Sequence, residues 1–438
     1  MDLRGILCKF LQEGSSQEKL NSMSHPHATV IGAGIVGVST AAFLQRAGYR
    51  VTVVDRLPPG EGCSFGNAGG VAFAEIVPPI HPRILLKIPG WLMDPLGPLT
   101  IRWSYLPKAL PWLLAAGRNG MPARVKAITE ARANLALRVV ADFETLLNDA
   151  GSSDLLKYED TLRLYDNEQQ FAVEANERAV KKAYGYEMKR LSGNECCELE
   201  PALSPHIHCG VFHGGWYFVT NPERTVKSIA AHVARNGGEF IADDVAHIEC
   251  EGNTAKFLAL KSGRSIALNK LVICAGAYSH LLARQLGEKV LLEAERGYHM
   301  VLPNSGVKLS RSLTYASTPG AATPMDMGLR LAGSDEFAGL DAPENWARAD
   351  ALWKVFKKIL PALNEPDSTT TRWMGRRPGT PDSLPVIGPS RTVSNVWYGF
   401  GHSHMGLTWG PSTGRLISEL MTGSRSNIDL SPFRVDRF

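Results

Sequence analysis

The chain has 438 residues, 44% of them hydrophobic and 21% charged, with a formal net charge of +4; that length and apolar content sustain two domains with sizeable cores. Lys and Arg are scattered rather than blocked, which argues against a nucleic-acid partner, and no apolar run approaches the length that spans a bilayer. Seven cysteines at irregular spacing, including the adjacent Cys196 and Cys197, form neither a disulfide framework nor a zinc pattern, so a reducing, cytoplasmic compartment is expected.

Residues 1–27 read as a flexible extension. Their apolar patch, Ile6-Leu7-Cys8, is short and soon followed by acids, no cleaved signal is expected, and Met1 and Met23 both stand as candidate starts. The first strong element begins at Ala28: the β-branched run Thr29-Val30-Ile31 enters the turn Gly32-Ala33-Gly34-Ile35-Val36-Gly37 and then a small-residue helix. Gly32 permits the tight turn, Gly34 lets backbone approach a pyrophosphate, and Gly37 lets the helix pack closely on the sheet. The helix N-terminus then faces the anion. A second strand, Tyr49 to Val54, ends in Asp55, an acid placed to accept hydrogen bonds from a ribose diol. Strand, turn, helix, strand and acid in this order predict dinucleotide binding.

The stretch 84–116 mixes Trp91, Trp103, Trp112, Leu and Pro with basic residues. Packing beneath a substrate domain is the favoured reading, with peripheral contact on a membrane surface as the alternative. Apolar residues at helical spacing over 124–150 predict a long helix, followed by a strand at Thr161 to Tyr165. Asn221-Pro222 opens another helix, to about Ala234. A β-meander from Gly237 to Leu268 leads into the apolar strand Lys270 to Ile273, whose small-residue end, Ala275-Gly276, suits close approach of a ligand. Strand-like runs follow at 297–302 and 328–333, and a last helix at about 407–421.

The opening turn, the loop Cys63-Ser64-Phe65-Gly66-Asn67-Ala68-Gly69, the block Trp373 to Pro389 (WMGRRPGTPDSLPVIGP) and the block Trp397 to Thr408 (WYGFGHSHMGLT) together resemble the D-amino-acid oxidase superfamily of FAD enzymes, most nearly its bacterial D-amino-acid dehydrogenase branch. The resemblance implies an α/β two-domain flavoprotein. Its discontinuous Rossmann-like FAD-binding domain would comprise 28–80, 200–288 and 372–438, and an inserted α+β substrate domain on an antiparallel sheet would comprise 81–199 and 289–371. Implied FAD contacts are Gly32, Gly34, Ile35, Val36, Gly37, Asp55, Arg56, Ser64, Asn67, Ala68, Gly69, Val245, Ala275 and Gly276. Gly401, His402, Met405, Gly406, Leu407 and Thr408 complete the set, as a second helix N-terminus toward the flavin. The nearby His402 and His404 lack partner ligands at metal-binding spacing, and no metal is expected.

Arg377 is the candidate substrate anchor, because a planar guanidinium fork matches a carboxylate; a surface ion pair is the alternative. Tyr298 and His299 are candidates for the pocket wall and the catalytic group, with His213, Trp216 and Tyr217 as further aromatic candidates; core packing is the competing role for each. The implied reaction is oxidation of a D-amino acid, with a D-hydroxyproline or a glycine- or sarcosine-type amine as alternative substrate. The imino product hydrolyses to a 2-oxo acid and ammonia, and electrons pass to a quinone or another acceptor. No cysteine follows Cys274, so non-covalent FAD is expected. An NAD-dependent dehydrogenase and a non-catalytic FAD-binding subunit are the competing classes; homo- and hetero-oligomers are both compatible with the sequence.

Overall fold

The computed structural model describes residues 26–80, 99–318 and 320–438. The nucleotide-type sheet has six strands in the order Val386–Pro389, Val396–Phe400, Lys270–Ile273, His27–Ile31, Arg50–Asp55, Glu239–Ala242. All neighbours run parallel except the first pair. The central strands are Val- and Ile-rich and buried on both faces, as parallel strands covered by helices must be. The strands come from three separated parts of the chain, unlike the contiguous sheet that the NAD-dehydrogenase alternative needs in the first half.

The helix Ile35–Arg46 packs against Gly406–Thr422. Small residues permit the contact: a Cβ at Gly414 would meet backbone at Ser39 and Thr40, and one at Gly410 would press on Ile35. The meander separates into its own antiparallel sheet of Val245–Glu251, Thr254–Leu260 and Ser265–Ala267, which packs its Ile248 and Leu258 into the cluster beneath Ile31 and Ile273.

A second sheet has ten strands. Its central run is Thr371–Gly379, Glu293–Leu302, Gly328–Phe337 and Gly320–Met325, all antiparallel neighbours, and it continues through Ser312–Tyr315, Leu156–Tyr165, Cys209–Val219 and Gly70–Val71. The expected domain boundaries therefore do not follow the sheets. Thr371–Gly379, Cys209–Val219 and Gly70–Val71 lie in the second sheet although the sequence reading grouped most of them with the nucleotide domain. Alternation of apolar and polar residues marks a strand but not the sheet it joins.

The helix expected over 124–150 is two, Pro122–Ala136 and Val139–Ala150. At the break Leu137 points outward, 81% exposed, and Arg138 reaches Glu419 at 2.6 Å. The helix Pro222–Arg235 starts as expected, with the Asn221 side chain accepting from the Arg224 N–H. Of the Trp-rich stretch, residues 84–98 lie outside the described residues. In the remainder Trp112 is buried and its indole N–H donates to the Gly379 carbonyl, whereas Trp103 is 72% exposed.

Candidate active site

Gly32 has φ +109°, and a Cβ there would land on the Cys274 carbonyl; one at Gly37 would land on the Gly32 carbonyl. Both glycines are thus required by close backbone approach. At Gly34 a Cβ would meet only the Ser64 hydroxyl, at 3.3 Å. Ser64 Oγ accepts from the Ile35 N–H at 3.0 Å, so this loop lies directly on the helix N-terminus, with Val36 half-buried in the first turn. Asp55 accepts from the Ala33 N–H at 2.7 Å and from the Leu57 N–H at 2.9 Å, which fixes its carboxylate at the strand end. An open glycine turn, a helix N-terminus and an oriented acid fit the pyrophosphate and ribose of FAD.

Arg56 stacks over the Tyr278 ring at 4.0 Å and lies 3.9 Å from Asp244. Gly276 is left-handed, following half-buried Ala275. Val245 opens the meander sheet opposite Leu260.

The second helix N-terminus also forms. Gly401 has φ +81°, His402 is buried with Nε2 2.8 Å from Thr413 Oγ1, and burial pushes its imidazole down to about 3, so it is neutral. Met405 stands just before the helix that Gly406 and Leu407 begin. Thr408 Oγ1 accepts from the Ala72 N–H at 3.0 Å, which ties this terminus to the strand Gly70–Val71.

The loop 63–69 connects the two sheets, and a residue the sequence reading did not select holds it. Arg330, 1% exposed, donates from Nη1 to the Phe65 carbonyl at 3.0 Å and the Asn67 carbonyl at 2.5 Å. The Asn67 side chain accepts from the Gly69 N–H, and the Gly69 carbonyl beyond half-buried Ala68 accepts from the Val219 N–H. Burial lowers the Arg330 guanidinium to about 10, a cost offset by these hydrogen bonds.

His299 and Tyr298 part company, because neighbours in a strand point to opposite faces. His299 faces the loop: it is buried, its Nδ1–H donates to the Gly66 carbonyl at 3.2 Å, and its ring stacks on Trp373 at 5.1 Å. Burial first, and then Arg330 and Arg377, push it down to about 3. The imidazole is thus neutral, stacked and hydrogen-bonded to the loop. Tyr298 lies on the other face, its hydroxyl donating to Glu336 at 2.6 Å and accepting from the Asn345 N–H, so it is not beside Arg377's guanidinium. Among the further aromatics, His213 is buried beside Trp216, at 5.9 Å between ring centroids, while Tyr217 meets Tyr158 edge-on.

Arg377 shares the His299 face. It pairs in register with Glu295, and its guanidinium lies over Gly297, where any Cβ would collide with it. It donates to Asp335 at 2.5 Å and to the Ser334 carbonyl at 3.3 Å. Asp335 in turn lies 3.1 Å from His404 Nε2, and His404 Nδ1 is 3.6 Å from Glu295 Oε2. Burial works to raise the Asp335 carboxyl, but His404 and Arg377 outweigh it and hold it at about 2. Glu295 is pushed up to about 7, by burial above all, with Asp335 and Glu293 adding to the rise against the pull of His404 and Arg377. Neither acid was selected from the sequence. The available signal was Gly333-Ser334 inside an apolar strand, a composition that marks bulges. Among the described residues no cluster of three metal-type ligands occurs.

Two predictions follow from these contacts. Arg330→Met leaves two loop carbonyls unpaired and costs about 2–4 kcal/mol; thermal melting and the fraction of flavin retained through gel filtration should both fall. Because the folded-state carboxyl of Glu295 is raised, its contribution to stability is full below its unfolded value and is lost as pH rises toward 7. Glu295→Gln should therefore match the wild type at pH 4.5 and exceed it by about 1–3 kcal/mol at pH 8 in denaturant titrations.

The family described as FAD dependent oxidoreductase (DAO) matches residues 27–420. A D-amino-acid oxidase of Bradyrhizobium diazoefficiens is 36% identical over 94% of this chain and 99% of its own length. A D-amino acid dehydrogenase of Paramagnetospirillum magneticum is 30% identical over 93% and 98%. Among solved structures, glycine oxidase from Bacillus cereus superposes with a TM-score of 0.70 at 18% identity, covering 94% of this chain and 99% of that one. L-proline dehydrogenase from P. horikoshii gives 0.72 at 18%, covering 94% and 98%. With the glycine turn, the oriented acid and the second helix terminus in place, and the family match spanning nearly the whole chain, this protein belongs to the DAO family of FAD-dependent oxidoreductases.

Proposed function

We propose that the protein oxidises the α-carbon of D-amino acids, with Arg377 holding the substrate carboxylate and FAD bound non-covalently. Arg377 carries this reading: it lies on the sheet face that also presents His299 to the flavin-side loop, its guanidinium seated over a glycine whose missing side chain makes space for it. The relatives named D-amino-acid oxidase and D-amino acid dehydrogenase support the substrate class. FAD supplies the two-electron acceptor for the α-hydrogen lost as hydride. The chain's own contribution is positioning: Arg377 orients the carboxylate, and the His299–Trp373–Phe65 stack walls the site beside it. Non-covalent binding is supported by Cys274, the last cysteine, which is buried with its thiol pushed up to about 12 by burial. Arg377→Lys keeps the charge but loses the fork. It should raise KM and lower kcat/KM for a D-amino acid about 100-fold in anaerobic flavin-reduction kinetics, while the flavin spectrum of the purified variant stays that of the wild type.

We further propose that electrons leave to a quinone or similar carrier at a membrane face. On the helix Leu106–Asn119, Leu110 and Leu114 are exposed one turn apart on one face, and Trp103 and Met121 are exposed just before and just after it. Exposed Lys108, Arg118, Arg124 and Lys126 accompany it, a charge pattern that suits an anionic lipid surface. No helix among the described residues is long and apolar enough to cross a membrane. The protein should sediment with phosphatidylglycerol vesicles, and Trp103→Glu with Leu114→Glu should abolish this without altering flavin reduction; equal sedimentation of the double variant would remove the proposal.

A further inference from the structure

The strand Gly328–Phe337 does not pair evenly with Glu293–Leu302. Arg296 faces Glu336 and Tyr298 faces Gly333, so Ser334 and Asp335 together stand opposite Gly297 alone. This is a β-bulge, and Ser334 in it has φ +68°. The turn that delivers His404 is strained in the same way: Ser403, just before it, has φ +48°. Only three non-glycine residues among those described have positive φ, and two of them immediately precede Asp335 and His404. Left-handed serines cost conformational energy, and such outliers persist where the surrounding structure enforces them. Here the two distortions bring Asp335 and His404 to 3.1 Å from each other beside Arg377.

We infer that Asp335 is the second half of the amino-acid site: it receives the substrate's α-ammonium group while Arg377 holds the carboxylate, and His404 passes the released proton to solvent. The inference rests on the reading of Arg377 given above. Arg377 and Asp335, 2.5 Å apart, form a neighbouring cation–anion pair. A zwitterionic amino acid is the complementary neighbouring anion–cation pair, so it can exchange one intramolecular ion pair for two intermolecular ones. A counter-ion that served only to neutralise Arg377 would need neither the bulge nor a histidine behind it.

A separate observation points into the same place. Glu295 is 7% exposed, and its Oε2 has no hydrogen-bond partner among the described residues, while lying 3.6 Å from His404 Nδ1. The imidazole therefore has one carboxylate near each nitrogen, and with its side chain 43% exposed it opens to water. The proton balance is simple. His404, open to water, first gives one of its N–H protons to solvent, which leaves a neutral imidazole; one N–H bond of the ammonium then breaks, its electron pair stays on the nitrogen, and an N–H bond forms again on His404, with Asp335 as the hydrogen-bonded intermediary; no electrons are transferred in this step. The neutral amine then has the lone pair that loss of the α-hydrogen requires. The charged groups facing Asp335 are His404, Arg377 and Arg348, and those facing Glu295 are His404, Asp335, Arg377 and Glu293.

The test compares D-alanine with propionate, the same carbon skeleton without the amine, on FAD-loaded protein. Propionate affinity is read from the perturbed flavin spectrum and D-alanine turnover from anaerobic flavin reduction between pH 6 and 10. Asp335→Asn should bind propionate as well as the wild type or several-fold better, because Arg377 is released. Its kcat/KM for D-alanine at pH 7 should fall about 10- to 100-fold, with the deficit closing as rising pH supplies neutral amine. Asp335→Glu should recover part of the loss. His404→Gln should leave propionate binding unchanged and slow D-alanine reduction most at low pH. If Asp335→Asn weakens propionate and D-alanine equally, Asp335 merely positions Arg377 and the inference is overturned; unchanged D-alanine kinetics would overturn it as well. A wild-type protein that neither binds propionate nor is reduced by D-alanine would instead sink the Arg377 reading, and this inference with it.

Discussion

A buried guanidinium joins the two sheets of this protein. Arg330 rises from the second sheet and donates to two carbonyls of the loop 63–69, the segment that carries the chain from the first sheet to the second. The same loop places Ser64 on the N-terminus of the first helix and the Gly66 carbonyl on His299. The nucleotide cradle and the His299 face of the second sheet therefore both meet this short segment. Burying a guanidinium is costly, and two carbonyl acceptors, with no hydrogen-bonded carboxylate among the described residues, make this a polar clamp rather than a salt bridge.

Around that clamp, strand alternation sorts the remaining side chains. Along Glu293–Leu302, the positions Glu295, Gly297 and His299 face the loop, while Arg296 and Tyr298 face away. The absent side chain at Gly297 leaves space that the Arg377 guanidinium enters, and the bulge opposite turns Asp335 toward it. Charge is concentrated without a metal-type cluster among the described residues: Arg377, Asp335, His404 and Glu295 form one connected group. Catalysis by positioning demands such an arrangement, since the flavin carries the redox chemistry and the protein must orient and charge-match the substrate.

The nucleotide half was legible in the sequence because its requirements are local. Gly32, Gly37 and Asp55 serve contacts set by one strand–turn–helix–strand unit, and short-range spacing reveals them. The helix at Gly406 was legible for the same reason. The substrate half was less so, because its chemistry arises from pairing between strands far apart in the chain. Arg377 stood out within a recognisable block, but Asp335 lies 42 residues away and reaches it only through the bulge. His299 and Tyr298 looked equivalent as adjacent aromatics, and only the register decided which one faced the loop. Arg330 read as an ordinary charge in a strand, since nothing in its neighbourhood tells of carbonyls more than 260 residues distant.

The most direct test of the account is anaerobic mixing of the purified, FAD-loaded wild-type protein with matched D- and L-amino acids, following flavin absorbance. Bleaching by D-enantiomers, with the L-enantiomers at least about 100-fold slower, is the predicted result, since transition-state contacts of a few kcal/mol separate mirror-image substrates. A flavin bleached equally by both, or by neither, would contradict the assignment of a D-amino-acid site built on Arg377.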